Sequence, residues 1–438
     1  MIEQFRNIFR VPELKRRVLL TCALLIVYRI GAHVPTPGID AHALARFFEQ
    51  QAGNLLGFFD LFSGGALRRL SEFALGIMPY ISSSIILQLL AVVIPTLEKL
   101  QKEGEQGRKK ITQYTRYGTI VLSLIQSYGM AIGLERMPTS TPIVTSPGIS
   151  FRLLTMLTFT TGSGLIMWLG EQISERGIGN GMSLLIYASI VSRIPSVFGL
   201  TVQYLQQGIL NPFVVLLLVV LMVAVVAGAI VLTQAQRRIP VQYPRQVRGR
   251  RVVGGQKSYL PLRINQAGVI PIIFAVSLLM LPGVVSNVVR NPTLSNLLGN
   301  WSKWNSIPYN VAYVLLIVFF SFFYTAITFN PIDIADNMKK YGGFIPGVRP
   351  GKATAEHLDF IMTRVTLPGA LALAFIAVFP VVVYRRFGID YVIANFFGGT
   401  SLLIIVGVAL DTASQMESHL LMRHYDGFMK KGRLRGRR

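Results

Sequence analysis

Apolar residues in this chain gather into stretches long enough to cross a bilayer, for which an α-helix needs about 20 residues. Phe213 to Leu232 holds no charged or strongly polar side chain, and Val311 to Phe329 admits only Ser321, Thr325 and Thr328 as clearly polar members. Further stretches occupy 18–34, 73–95, 117–134, 151–170, 182–199, 264–285, 367–384 and 396–415. Together these predict an all-α polytopic membrane protein with ten transmembrane helices. The span after Gly181 is interrupted by Arg193 and Pro195. The first follows Lys15-Arg16-Arg17, so a cleavable signal peptide competes with a retained span. No small-x-small site follows the apolar run and Arg29 lies within it, which favours retention.

Composition agrees with the hydropathy. Of the 438 residues 52% are apolar and 14% charged, against about 25% charged in a soluble domain. The single cysteine, Cys22, excludes an intrachain disulfide framework and a cysteine metal site.

The net charge of +23 is unevenly placed. Roughly three quarters of the Lys and Arg fall in the N-terminus through 17, in 97–116, 171–180, 237–263 and 331–365, and in the tail 416–438. These are alternate connections plus both ends, so the positive-inside rule puts both termini in the cytoplasm. An even number of spans gives the same answer. Segment 237–263 carries Arg237, Arg238, Arg245, Arg248, Arg250, Arg251, Lys257 and Arg263 with no Asp or Glu. A topology signal touching anionic lipid is one reading; a dock for an acidic or phosphate-rich partner is the other. Pro240, Pro244, Gly249, Gly254 and Gly255 punctuate short β-prone pieces, which predicts a protruding hairpin. The tail Lys430 to Arg438 reads as a disordered basic end.

Enzyme signals are missing. Gly104 to Lys110 has glycines and lysines at the wrong spacing for a phosphate-binding loop. Gly177-Ile178-Gly179-Asn180-Gly181 lies between two spans and reads as a tight turn rather than a dinucleotide loop. The five His residues show no metal-ligand spacing, and no Gly-x-Ser-x-Gly elbow occurs. The chain is therefore expected to be neither an enzyme nor an ATPase, and to need no cofactor.

Gly76-Ile77-Met78-Pro79-Tyr80-Ile81 has a near copy in Gly268-Val269-Ile270-Pro271-Ile272-Ile273. Both sit in apolar segments, where a membrane helix is expected to run. With the N-terminus inside, span 2 enters the bilayer from outside and span 7 from inside. The copies then run in opposite directions, as an inverted repeat requires. A secondary transporter and a gated channel both use such an architecture, and a pore-free scaffold is a third class. A transporter needs ionisable or carbonyl ligands near the midplane. Arg29, Glu171, Asp333 and Asp411 fall instead towards predicted span ends. The repeat supplies isoleucine, and an apolar constriction resists ions and water without chemistry. Just before span 2, Phe58 to Leu70 is apolar, short and broken by Gly64 and Gly65. It is too short to cross alone, and is either a surface amphipathic helix or a re-entrant piece plugging a cavity.

Several strings resemble the SecY family, large subunits of the bacterial protein-conducting channel. They are Phe62 to Leu67 running on to Ile77-Met78-Pro79-Tyr80-Ile81-Ser82, Gln113 to Gly118, Trp168 to Ile173, Glu175 to Gly181 and Ala267 to Pro271. Ala335-Asp336-Asn337, Arg349-Pro350-Gly351 and Phe397 to Ser401 complete the set in the family's order. The resemblance implies a clamshell of two inverted five-helix halves, 1–200 and 201–438, around a central hourglass pore. It implies a pore ring of Ile77, Ile81, Ile186, Ile273 and Ile404, all isoleucine here. It implies a plug within about 58–72, built on Leu61, Phe62, Ser63, Gly64, Gly65, Ala66 and Leu67, and a lateral gate of spans 2, 3, 7 and 8. The basic loop 237–263 and the loop 331–365 with Arg349 correspond to docking surfaces for the motor SecA and the ribosome with its rRNA phosphates. SecE and SecG are implied as small membrane partners. Secretory polypeptides and signal sequences are the implied cargo, apolar segments leaving sideways into lipid. Anionic lipids but no DNA are expected as further contacts, with the chain multi-pass in the inner (plasma) membrane. The outer connections 135–150 and 286–308 match the family poorly.

Overall fold

A computed structural model describes residues 11–40, 63–135, 143–243, 245–248, 251–254, 257–288, 305–389 and 391–431. It is mostly helical, and every predicted span overlaps helix, those at 182–199 and 396–415 being divided between two consecutive helices. In chain order these are α1 (Pro12–Gly31), α2 (Met78–Val93), α3 (Pro95–Lys102), α4 (Glu105–Glu135), α5 (Ile149–Arg176), α6 (Gly181–Val191), α7 (Ile194–Gln206) and α8 (Pro212–Gln234). Four short strands follow: β1 (Gln236–Gln242), β2 (Arg245–Arg248), β3 (Arg251–Gly254) and β4 (Lys257–Arg263). Then come α9 (Ile270–Val288), α10 (Ile307–Thr328), α11 (Pro331–Lys340), α12 (Lys352–Phe387), α13 (Tyr391–Gly398) and α14 (Thr400–Lys431). Among the described residues seven helical stretches are long and apolar enough to cross a membrane, and the bent pair α2–α3 makes an eighth. α1 carries charge at both ends, and α9 is apolar over the shorter stretch Ile270–Leu279.

The helix boundaries follow from local chemistry. Asn180 caps α6 by accepting from the Met182 and Ser183 amides at 3.1 and 3.2 Å. Ser306 accepts from the Tyr309 amide at the start of α10, where Pro308 needs no hydrogen-bond partner for its nitrogen. Asn330 caps α11, which has Asp333 in its first turn and Lys339 and Lys340 in its last, matching the helix dipole. α12 runs 36 residues through Pro368 and Pro380 and stops at Gly388, whose left-handed φ of 64° ends the helix. Extended Ile94 before Pro95 turns α3 by 106° from α2. Arg193 and Pro195, which interrupt the fifth span in sequence, mark the break between α6 and α7.

Two compact units result. One comprises Met1–Asn211, Met280–Trp304 and Ile404–Arg438; the other comprises Pro212–Leu279 and Asn305–Leu403. In the first, α4 presents buried Thr115, Thr119, Ser123, Ser127 and Ala131 at four-residue spacing. Side chains this small let helix backbones approach closely, the usual basis of packing where lipid gives no hydrophobic drive. Ser83 of α2 donates to the Thr115 carbonyl at 2.9 Å across this seam. The Glu135 carboxylate closes the α4–α5 connection, accepting from Arg152 Nη2 at 2.7 Å and the Gly148 amide at 3.0 Å.

In the second unit, β1 pairs with β4 in antiparallel register from Gln236↔Arg263 to Gln242↔Lys257, and β2 pairs with β3. Pro240 and Pro261 are tolerated because a two-stranded ribbon has only edge strands. Ile239, Val241 and Leu262 pack with Phe329, Met338, Ile345, Leu358 and Met362. One apolar cluster thus joins the ribbon to α11 and the start of α12.

Candidate functional site

Residues 63–77 form a run of turns rather than a helix. Gly64, Gly65 and Gly76 take positive φ of 66°, 88° and 57°. Leu70 does so at 41°, a conformation that costs a side-chain-bearing residue about 1–3 kcal/mol. Its side chain is nevertheless 1% exposed, so burial of a large apolar group offsets the strain. Ser63, Gly64, Ala66 and Leu67 are buried with it, as are Ser71, Phe73 and Ala74. The surface-helix alternative therefore fails for the described part of the segment. Leu61 and Phe62 of the expected plug lie outside the described residues.

The first unit grips this segment from several sides. Its backbone pairs with the chain after α1: the Thr36 amide donates to the Leu70 carbonyl at 2.9 Å and the Glu72 amide to the Val34 carbonyl at 3.0 Å. Phe73 stacks on Tyr28 of α1 with centroids 5.7 Å apart. Tyr28 shares a 2.6 Å hydrogen bond with Ser189 of α6. Arg29 Nη1 donates to the Gly64 carbonyl at 2.7 Å. From α5, Gly162 approaches so closely that an added Cβ would lie 2.0 Å from the Glu72 carbonyl oxygen. From α6, Ser189 leaves only 3.0 Å between its Cα and a Cβ placed on Gly64. In the sequence Arg29 stands out only by its position near a span end, and Gly162 does not stand out at all. Nothing local distinguishes either, since both act through residues far along the chain.

The repeat is not mid-helix, as its place within apolar runs suggested, but a helix start. Gly76 and Gly268 both take left-handed φ, 57° and 63°, and helices begin two residues later, at Met78 and Ile270. Pro79 and Pro271 are second in their helices, where a missing N–H costs least. The Ile81 amide closes the first turn on the Ile77 carbonyl at 3.1 Å, and the Ile273 amide does the same on Val269 at 3.3 Å. The copies therefore start their helices in the same register. All five isoleucines named from the resemblance are buried: Ile77 and Ile81 6%, Ile186 2%, Ile273 5% and Ile404 0% exposed. Ile77, Ile81, Ile186 and Ile404 belong to the first unit and Ile273 to the second.

The basic loop is a ribbon, as its Pro and Gly spacing predicted. Arg237 and Arg238 on β1 are exposed. Arg245, Arg248, Arg251 and Lys257 lie on β2, β3 and β4, and Arg250 is outside the described residues. Gln242 and Phe344 exchange both backbone hydrogen bonds at 2.9 Å, tying the ribbon to the loop before Arg349. Arg349 is exposed, and its carbonyl accepts from Thr354 Oγ1 at 2.8 Å. Two basic loops about a hundred residues apart are thus one body, an arrangement that no local motif signals. Among the described residues no group of His, Cys, Asp and Glu could hold a metal ion.

Known proteins share this architecture. A family model described as SecY matches residues 71–413. The protein translocase subunit SecY of Escherichia coli (strain K12) is 48% identical over 428 residues, covering 97% of this chain and 96% of that protein. A solved structure described as showing that the plug domain of SecY stabilises the closed state of the translocation channel and maintains a membrane seal is similar, with TM-score 0.59 and 18% identity over 92% of each chain. Sec61 in the canine ribosome–channel complex from the endoplasmic reticulum gives TM-score 0.60 and 16% identity, again over 92% of each chain.

Proposed function

Because the chain belongs to the SecY family, we propose that it is a protein-conducting channel, moving unfolded secretory polypeptides across the membrane and releasing apolar segments sideways into lipid. The observation that carries this reading is the irregular segment 63–77, buried in the first unit and leading directly into the helix that bears Ile77 and Ile81. Irregular backbone at membrane depth persists only where protein packs around it or a cavity is lined by it. In the closed state this segment is the plug, and Ile77, Ile81, Ile186, Ile273 and Ile404 form the pore ring. An aliphatic ring closes around any extended polypeptide without demanding particular hydrogen bonds, so it accepts every sequence while limiting ion flow. The halves 1–200 and 201–438 form the clamshell, and spans 2, 3, 7 and 8 the lateral gate.

The chain itself supplies no nucleotide chemistry, so the driving force comes from outside. Exposed Arg237 and Arg238 on β1 and exposed Arg349, on elements joined through one apolar cluster, suit SecA or ribosomal RNA phosphates. The Sec61 relative is seen in a ribosome–channel complex, which supports the ribosome reading. SecE and SecG complete the assembly, and both termini face the cytoplasm of a cell bounded by the inner membrane. A photoreactive residue at position 81 or 273 tests the reading: a translocation intermediate stalled in the channel is expected to crosslink to both. Capture at neither, with capture at lipid-facing control positions, overturns the pore assignment.

A further inference from the structure

Within the second unit a cavity of about 400 Å³ lies between the first turns of α10 and the last turns of α12. Its walls include Ile307, Val311 and Leu315 from α10 and Val378 and Val382 from α12, with Arg385 at one end. Ile307, Val311, Leu315 and Val382 are each more than half exposed, at 67%, 53%, 63% and 56%. In water such a surface would be costly, but in a bilayer it faces acyl chains. From Ile307 to Leu315 a helix rises about 12 Å, close to the ~15 Å hydrocarbon depth of one leaflet. The groove is therefore about one acyl chain long, and its cation sits where that leaflet ends.

Arg385 is held in place. Its Nε donates to Asn305 Oδ1 at 2.8 Å and Nη2 donates to the Asn305 carbonyl. These bonds use two of the five guanidinium N–H groups. Arg386 is exposed beside it. A pair of arginines in a last helical turn also complements the helix dipole. That role needs neither the clamp on Asn305 nor a groove below it. Charge distribution adds a second argument. The topology puts this end of α12 on the outer side, where Lys and Arg are scarce in this chain.

We propose that this groove holds one anionic phospholipid of the outer leaflet, with an acyl chain against Val311, Leu315 and Val382 and its phosphate on Arg385 and Arg386. The site is independent of the plug, the isoleucines and the basic ribbon. Native mass spectrometry of the full chain, purified in detergent with the subunits that accompany it, tests the proposal by titration with phosphatidylglycerol or phosphatidylethanolamine. The natural sequence is expected to prefer phosphatidylglycerol by about tenfold at its tightest site, the scale of a charge-assisted hydrogen bond. The pair Arg385→Gln and Arg386→Gln abolishes the preference, whereas Arg385→Lys with Arg386→Lys retains most of it and controls for folding. Val382→Trp fills the groove and removes the tight lipid of either kind. Equal affinity for the two lipids, or a preference untouched by the glutamine pair, overturns the proposal. So does a photoreactive residue at position 315 that captures a protein helix instead of lipid.

Discussion

Arg29, in the last turn of α1, donates Nη1 to the carbonyl of Gly64 across 2.7 Å, fastening the irregular segment to the first membrane helix. The half-buried guanidinium meets a backbone atom, so no side chain of the segment is needed for the tether. If the segment is the plug, this bond is part of what keeps the channel shut. A charge-assisted hydrogen bond is worth about 1.5–3 kcal/mol, which corresponds to at least a tenfold shift in a two-state equilibrium. Arg29→Met is expected to raise the open fraction by that factor in single-channel recordings of reconstituted complex, with Arg29→Lys intermediate. Identical closed-state leak in all three would show that the tether does not hold the gate.

Gly162 gives an independent handle on the same segment. A methyl group there would meet the Glu72 carbonyl oxygen at 2.0 Å, and backbone cannot yield as a flexible side chain can. Overpacking of this kind costs about 1–3 kcal/mol. Gly162→Ala is expected to lower the thermal unfolding midpoint and to increase protease access to the 63–77 backbone. Gly164→Ala, with nothing within 4 Å of the added carbon, is the matched control. Equal effects of the two would remove the close approach as the cause.

Replacement of Ile81 and Ile273 together by glycine is expected to increase ion leak through resting channels and to loosen signal-sequence selectivity. Conductance of reconstituted vesicles measures the first, and translocation of substrates with defective signals the second. If neither changes, the two isoleucines pack a core rather than line a pore.

The docking face is tested by charge. Arg349 is exposed, so Arg349→Glu is expected to leave stability within about 0.5 kcal/mol. Motor-driven translocation should fall severalfold, and the deficit relative to the natural sequence should narrow as salt is raised, because screening weakens the native contact and the new repulsion alike. Loss of assembly in parallel with loss of translocation would assign Arg349 to folding instead.

Hydropathy alone located the long apolar helices, because the bilayer demands long apolar runs, but not the polar helices α3 and α11. The basic ribbon was equally readable, since Pro and Gly punctuation around β-prone residues acts locally. What escaped was contact between distant residues. Arg29 looked like a charge at a span end until Gly64 came beside it. Gly162 looked like any small residue of a membrane helix until Glu72 lay against it. The bend of 106° at Ile94–Pro95 and the union of the 237–263 ribbon with the loop at Phe344 depend on the same kind of long-range information. The isoleucines are reached only through family likeness, because nothing in their local sequence separates an isoleucine that lines a pore from one that packs a core.

Gly76 and Gly268 have an electrostatic consequence. Each delays its helix until two residues later, so each helix begins within a run of sequence apolar enough to be membrane. A helix start carries about half a positive elementary charge, spread over amides with no partner in the preceding turn. Pro79 and Pro271 each remove one such amide, which lowers the cost of starting a helix at depth while leaving the macrodipole intact. If Ile81 and Ile273 line the proposed pore, cations approaching them, protons included, meet a repulsive potential as well as an oily surface. In that arrangement part of the barrier to ions resides in the backbone, and it survives any change made to the isoleucine side chains.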